Sequence, residues 1–337
     1  MSETSQNPYI SFISPCRNDN HGGDFFKRFD FTLNSLLDQL ESNKVYSEII
    51  FVEWNPPKDK SLLSEIKSIQ SRTNKYCTIR SIIVPENIHI TYPGSDRIPI
   101  DVVRAINTGI RRARGEFVLP RPIDLIYSNE LIEFISKKKL TSGNLYRIDR
   151  CDVDRNVLSI KNKDEQISFC KKNIIRVNTT KKSNKESMPN LHTNASGDFI
   201  LMSKNDWLKM GGYYEIDLAG SYIDTIMCYA SYSAGIKEKI LKKPIELFHI
   251  DHDNQFNERL QESDYPMYSL FNKIRTNWFI KKMLALESKI FSILNYKNIS
   301  KVDGVETLNY GDAMDLCERL VKHSQNYYLN EKNWGLA

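Results

Sequence analysis

The first 120 residues alternate between short apolar runs and amphipathic stretches. Tyr9–Pro15 (YISFISP) is rich in β-formers and ends on proline, which predicts a buried strand stopping at a loop. From Phe25 to Leu40, Phe26, Phe29, Leu33, Leu36, Leu37 and Leu40 recur at helical spacing. Ser47–Trp54 (SEIIFVEW) reads as a second strand, closed by Asn55-Pro56-Pro57, where proline withholds the donor that a ladder needs. Leu62 to Ile69 reads as helix and Thr78–Val84 as a third strand. Val102 to Ala113 is a helix stopped by Gly115, and Phe117-Val118-Leu119 a short fourth strand. Strands separated by helices predict an α/β fold: a mostly parallel twisted sheet with helices on both faces. Sheets of that kind bind ligands at the carboxyl ends of their strands.

The pattern changes after residue 160. Lys161 to Asn190 is rich in Lys, Asn and Ser, and predicts a solvated loop or a lid that orders over a ligand. Mixed helix and strand return from Phe199 to His252. The remainder reads as helical, with Phe271, Ile274, Trp278, Met283, Leu286, Ile290 and Ile293 forming a stripe within Ser269 to Leu294. The chain therefore divides into a sheet unit, 1–255, and a helical C-terminal extension, 256–337. Lys273, Arg275, Lys281 and Lys282 flank the stripe, so it suits either packing on the sheet unit or resting on the inner face of a membrane.

Composition narrows the setting. Of 337 residues, 40% are hydrophobic and 26% charged, which supports a packed soluble unit rather than disorder. The net charge of +5 is mild, and the basic residues lie among 42 acidic ones, which argues against a nucleic-acid partner. The six cysteines show no zinc-like spacing and predict reduced thiols. With a polar Met1 to Pro8 and no apolar stretch of membrane-spanning length, a cytoplasmic location is expected, with or without peripheral contact at the inner membrane face.

Candidate chemistry gathers after the strands. The first delivers Arg17 and Asp19, followed by His21-Gly22-Gly23, and the second delivers Glu53. A carboxylate at such a strand end suits a ribose hydroxyl or a base, and an arginine suits a phosphate. Asn107 to Leu131 reads NTGIRRARGEFVLPRPIDLIYSNEL. Here the chain resembles the family-2-like glycosyltransferases of the GT-A fold, whose N-x-G-x-x-x-A-x-G-E pattern is met by Asn107, Gly109, Ala113, Gly115 and Glu116. An Asp-x-Asp metal motif follows in that family. Its second aspartate falls on Asp124, and its first on Pro122.

A second block, Gly197-Asp198-Phe199 through Trp207 to Gly211-Gly212-Tyr213, looks like the family's acceptor segment, and Asp224 matches its catalytic base. His249-Ile250-Asp251-His252-Asp253 is a metal-ligating pattern that would compensate for Pro122, with His249 preferred and His252 second.

The resemblance thus implies a nucleotide-sugar-dependent, inverting transferase in surface glycan biosynthesis. Its GT-A unit has a donor half (9–130) and an acceptor half (131–255), and takes a glycan or lipid-linked acceptor. Arg17, Asp19, Glu53, Asn107, Arg114 and Arg121 are its donor-binding candidates. Asp124, His249 and His252 would hold Mg²⁺ or Mn²⁺, and Asp224 or Asp198 would act on the acceptor. Loss of the first aspartate leaves metal independence open. It also leaves open a binding domain without turnover, and a nucleotidyltransferase is the other enzymatic reading.

Overall fold

The computed structural model describes residues 7–66, 72, 75–180, 188–216, 219–252, 260–261, 278–293, 300–323 and 327–337. Strand β1 (Ile10–Cys16) leads to helix α1 (Phe25–Ser42), then β2 (Ser47–Trp54) and β3 (Cys77–Val84). Helix α2 (Val102–Arg112) precedes β4 (Phe117–Pro120). Next come β5 (Leu125–Tyr127), α3 (Asn129–Ser136), β6 (Asn144–Ile148) and β7 (Arg150–Val153). They are followed by α4 (Lys163–Lys172), β8 (Ile174–Asn178), β9 (Met202–Ser203), α5 (Lys204–Met210) and α6 (Ile223–Ser233). Strands β10 (Lys237–Leu241) and β11 (Leu247–Ile250) complete this part.

The main sheet has the order β3-β2-β1-β4-β9. Its first four strands are parallel, and β9 runs antiparallel to β4. This is the mostly parallel α/β architecture expected from the alternation of apolar runs and helices. A second, mixed sheet, β5-β11-β7-β8, lies beyond the carboxyl end of β4.

The sheet carries a core on each face. Phe29, Leu33, Leu36 and Leu40 of α1 pack with Phe12, Ile49, Phe51 and Leu119 on one side. On the other, Ile13, Ile50, Val52 and Val118 meet Val103, Ala105 and Ile110 of α2, Trp207 of α5 and Met227 of α6. Alternate residues of one strand thus serve opposite faces, as the two-residue pleat period requires. All six cysteines are free and buried.

Two expectations change. The stretch 161–190 is not all loop: α4 is capped by the Asn162 side chain and buries Gln166, Ile167 and Cys170, while β8 extends the second sheet. Three inward residues suffice to dock a ten-residue helix, although its polar majority hides them from a compositional reading; residues 181–187 lie outside the described residues. The predicted helix from Leu62 is, where described, a single 3-10 turn at Leu63–Glu65, and residues 67–69 again lie outside.

The C-terminal segment holds α7 (Trp278–Ile293) and α8 (Tyr310–Lys322). It also contributes a three-stranded sheet of β12 (Leu260–Gln261), β13 (Ser300–Val302) and β14 (Val305–Thr307). Ser269 to Asn277 lie outside the described residues. The terminal turn packs on the second core, where Trp334 is buried and Arg111 lies 4.8 Å from its ring centroid. No helix among the described residues is long and apolar enough to cross a membrane.

Gly115 is fixed by close approach: a Cβ there would sit 2.6 Å from the backbone nitrogen of Ser11 on β1. Gly115→Ala is expected to lower stability by about 1–3 kcal/mol through overpacking, read as a reduced urea midpoint at unchanged slope.

Candidate functional site

A pocket of about 330 Å³ opens at the carboxyl ends of β1 and β4. Cys16 enters it from the end of β1, Arg17, Asp19 and His21 from the loop that follows, and Pro122, Ile123 and Asp124 from the loop after β4. Asp198, His249 and His252 join from distant segments, and Arg28 from α1. Ile98, Ile100, Val102, Ala219 and Val302 supply an apolar wall.

Asp124 is the charged centre. Its side chain is 6% exposed, and its Oδ2 lies 2.6 Å from Arg28 Nη1 and 3.0 Å from His252 Nε2. Its Oδ1 lies 3.7 Å from His249 Nε2 and has no hydrogen-bond partner. Burial alone would raise the pKa of this carboxyl. The hydrogen bond to His252 and the charges of His249, His252 and Arg28 outweigh burial and hold it well below the usual carboxylate range.

His249 presents Nε2 to Asp124 because its Nδ1 faces Asp152 Oδ1 at 3.2 Å. Burial pulls the His249 pKa down, but hydrogen bonding to Asp152 and the charges of Asp124 and Asp198 leave it above its ordinary value. Asp152 is itself held by Arg150, with Nε at 2.9 Å, and by Arg176, with Nη2 at 2.6 Å.

The loop between β1 and α1 wraps this cluster. Asn20, Gly22, Gly23 and Asp24 all adopt positive φ. A Cβ at Gly22 would lie 2.8 Å from Arg28 Nη2 and 2.9 Å from His252 Nδ1, so glycine lets the backbone close over both side chains.

Among the described residues, Asp124, His249 and His252 place their ligand atoms within 4.8 Å of one another. One carboxylate and two imidazoles make a plausible donor set for a divalent transition ion, and Mn²⁺ suits it better than Mg²⁺, which favours oxygen alone. The unpaired, buried Asp124 Oδ1 and the carboxylate behind His249 both fit that use.

Asp198 also lines the pocket, with Oδ2 2.6 Å from Arg150 Nη1. Burial raises its pKa, and Arg150 and His249 oppose that without cancelling it. Asp224 does not line the pocket. Its Oδ2 accepts from Ser196 Oγ at 2.6 Å and from the Gly197 amide at 2.8 Å, so it braces the turn that presents Asp198.

Of the other sequence candidates, Arg17 and Asp19 reach the pocket as a pair, 3.0 Å apart, with Arg17 Nε also donating to the Asn55 carbonyl. Four are placed elsewhere. Glu53 stands beside Cys16 in the sheet, but its two oxygens accept the Leu63 and Ser64 amides and cap the 3-10 turn. Asn107 is buried in α2 and holds the Gly211-Gly212-Tyr213 turn through both backbone groups of Tyr213. Arg114 is exposed at the amino end of β4, the opposite edge of the sheet from the pocket. Arg121 is buried against the Tyr127 ring at 5.5 Å and donates to the Leu125 carbonyl. Arg147 and His192 form a buried pair, and the Arg147 guanidinium donates to the His192, Ser196 and Phe199 carbonyls.

Sequence reasoning missed Arg28 and Asp152. Arg28 left one usable signal: it is an arginine on the apolar stripe of α1, three residues from Phe25 and four from Thr32, both buried.

No protein-family model matches the chain, and no curated protein sequence matches it. Among solved structures, S. aureus TarS residues 1–349 in complex with UDP-GlcNAc superposes with a TM-score of 0.48 at 13% identity, covering 94% of this chain and 74% of that one. The longer S. aureus TarS gives 0.43 at 15% identity, and the chain spans 38% of its length against 74% of its own. The catalytic domain of Drosophila beta1,4galactosyltransferase 7 with xylobiose gives 0.36 at 10% identity, covering 69% and 65%.

Replacing Asp152 by Asn weakens its hold on His249. Mn²⁺ affinity is expected to fall by about 10- to 100-fold, as for other outer-sphere carboxylates. Calorimetry on a variant whose circular dichroism is unchanged checks this.

Proposed function

We propose that the chain transfers a glycosyl unit, with inversion, from a nucleoside-diphosphate sugar to a hydroxyl of a glycan or lipid-linked acceptor in surface glycan assembly. The observation that carries this reading is the placement of Asp124, His249 and His252 in one pocket with Asp198, at the carboxyl ends of parallel strands. Arg17 and Asp19, on the loop after β1, meet the nucleoside side of the donor. Asp124, His249 and His252 would hold a divalent cation, which when bound neutralises charge on the leaving diphosphate.

Asp198 takes the proton of the acceptor hydroxyl while that oxygen attacks the anomeric carbon. The bond from carbon to diphosphate oxygen breaks, and the nucleoside diphosphate leaves with the electron pair. Arg150 keeps Asp198 oriented, and Asp224 positions it through the Ser196-Gly197 turn. A base with a raised pKa accepts a proton more readily near neutrality than an ordinary aspartate does.

A thermal-shift screen of nucleotide sugars with Mn²⁺ identifies the donor, because a ligand that binds the folded state stabilises it by mass action. With that donor, Asp198→Asn is expected to lower kcat by about 10²- to 10⁴-fold, and Asp224→Asn by less. The wild-type rate falls on the acid side at a pH above the ordinary aspartate range, since the base must be ionised and its pKa is raised. Proton NMR of the first product reports the inverted anomer. Equal, near-zero turnover in wild type and both variants would leave a binding domain instead.

The reading extends to the membrane face where lipid-linked acceptors reside, through α7 with its exposed Phe279, Leu286 and Ile290. Salt-sensitive co-sedimentation with anionic liposomes is the expected result, and its absence removes this extension.

A further inference from the structure

Arg28 sits directly on the carboxylate that anchors the candidate cation site. Its side chain is 2% exposed, and Nη1 lies 2.6 Å from Asp124 Oδ2. Nε donates to the Gly23 carbonyl at 3.2 Å and Nη2 to the His21 carbonyl at 2.5 Å. Three of the five guanidinium N–H donors are thereby committed, which fixes the group in place at the pocket wall and leaves two.

The carboxylates around the site are already matched before any charge on His249 or His252 is counted. Asp124, Asp152 and Asp198 are matched by Arg28, Arg150 and Arg176, each pair within ion-pair distance. A divalent cation that enters alone brings two positive charges to a cluster with no negative charge to spare, beside a fixed guanidinium that shares its main ligand. A diphosphate changes that balance: its oxygens can bridge the cation and accept from the two remaining Arg28 donors.

Building on the donor reading above, we propose that Arg28 is a diphosphate-binding residue that couples the two ligands. The cation is held weakly by itself and tightly once a diphosphate is present. By linkage the diphosphate gains as much from the cation as the cation gains from it. Sharing Asp124 between an arginine and a metal thus makes the site selective for the cation–diphosphate pair over either alone.

Isothermal titration calorimetry of the full chain tests this, with Mn²⁺ and inorganic pyrophosphate as probes and UDP run in parallel. In the wild type, pyrophosphate is expected to tighten Mn²⁺ binding at least tenfold. Arg28→Gln should bind Mn²⁺ alone more tightly, bind pyrophosphate at least tenfold more weakly, and lose most of the coupling. Arg28→Lys, which keeps the charge, should retain part of it. Equal Mn²⁺ affinity with and without pyrophosphate in the wild type overturns the proposal whether or not the variants fold. So does undiminished coupling in a folded Arg28→Gln protein. Strong, Arg28-dependent coupling with pyrophosphate but no binding of UDP or of any nucleotide sugar would uphold the role of Arg28 and remove the nucleotide-sugar reading.

Discussion

A carboxylate taken out of water costs several kcal/mol unless opposite charge and hydrogen bonds replace its hydration. Asp124 is such a group, and the replacements come from parts of the chain remote in sequence: Arg28 on α1, His249 on β11, and His252 just beyond it. Meeting that requirement dictates much of the nearby structure. The β1–α1 loop must coil through positive φ so that its carbonyls can receive Arg28, and Gly22 must lack a side chain. The second sheet must bring β11 between β5 and β7, which sets His249 opposite both Leu125 and Asp152. Removing one partner would leave an uncompensated buried charge, which is far more costly than never having had the pair.

The same logic separates polar residues that serve the fold from those that face the pocket. Asn107, Arg147 and Glu53 look functional by residue type, yet each spends its hydrogen-bonding capacity on backbone groups that no strand or helix satisfies. Buried backbone donors and acceptors need partners somewhere, and loops at the ends of a parallel sheet have many to place. Asp124 and Asp198 differ in having charged partners instead, with capacity left on the pocket side.

The main sheet was legible in the sequence because period and punctuation agreed. Ser47–Trp54 is a strand over the range that its composition and closing prolines predict, and α1 and α2 begin where the spacing places them. The second sheet was not legible: β5, β7 and β11 are three or four residues long, too short to show a period, and their pairing joins residues about a hundred positions apart. The site was legible in part. The gapless match that set Asp124 against Pro122 pointed to the right loop, and the late histidines fell beside it. Arg28 escaped because a lone arginine on an amphipathic helix usually reaches solvent, and nothing local announces that a carboxylate lies 96 residues further on. Arg114 misled because a residue just before a strand and one just after it look alike in sequence while standing at opposite edges of the sheet.

The pocket has two unlike ends, and they divide its work. The charged end is rigid, since each group there is held by at least one other, and it can read little beyond a cation and an anionic group. Discrimination among ligands that share that group must therefore come from the apolar wall. Ile98 and Ile100 reach it from the segment between β3 and α2, Val102 from the start of α2, and Val302 from β13. The two parts are tied together: Arg97 donates to the Gly304 carbonyl at 2.8 Å, and Ile98 packs with Val305. The C-terminal segment is thus part of the pocket rather than an appendage to it. Substitutions that change the shape of Val302 or Ile98 should alter which ligand fits while leaving the ionic cluster intact, because no ion pair of that cluster involves either residue.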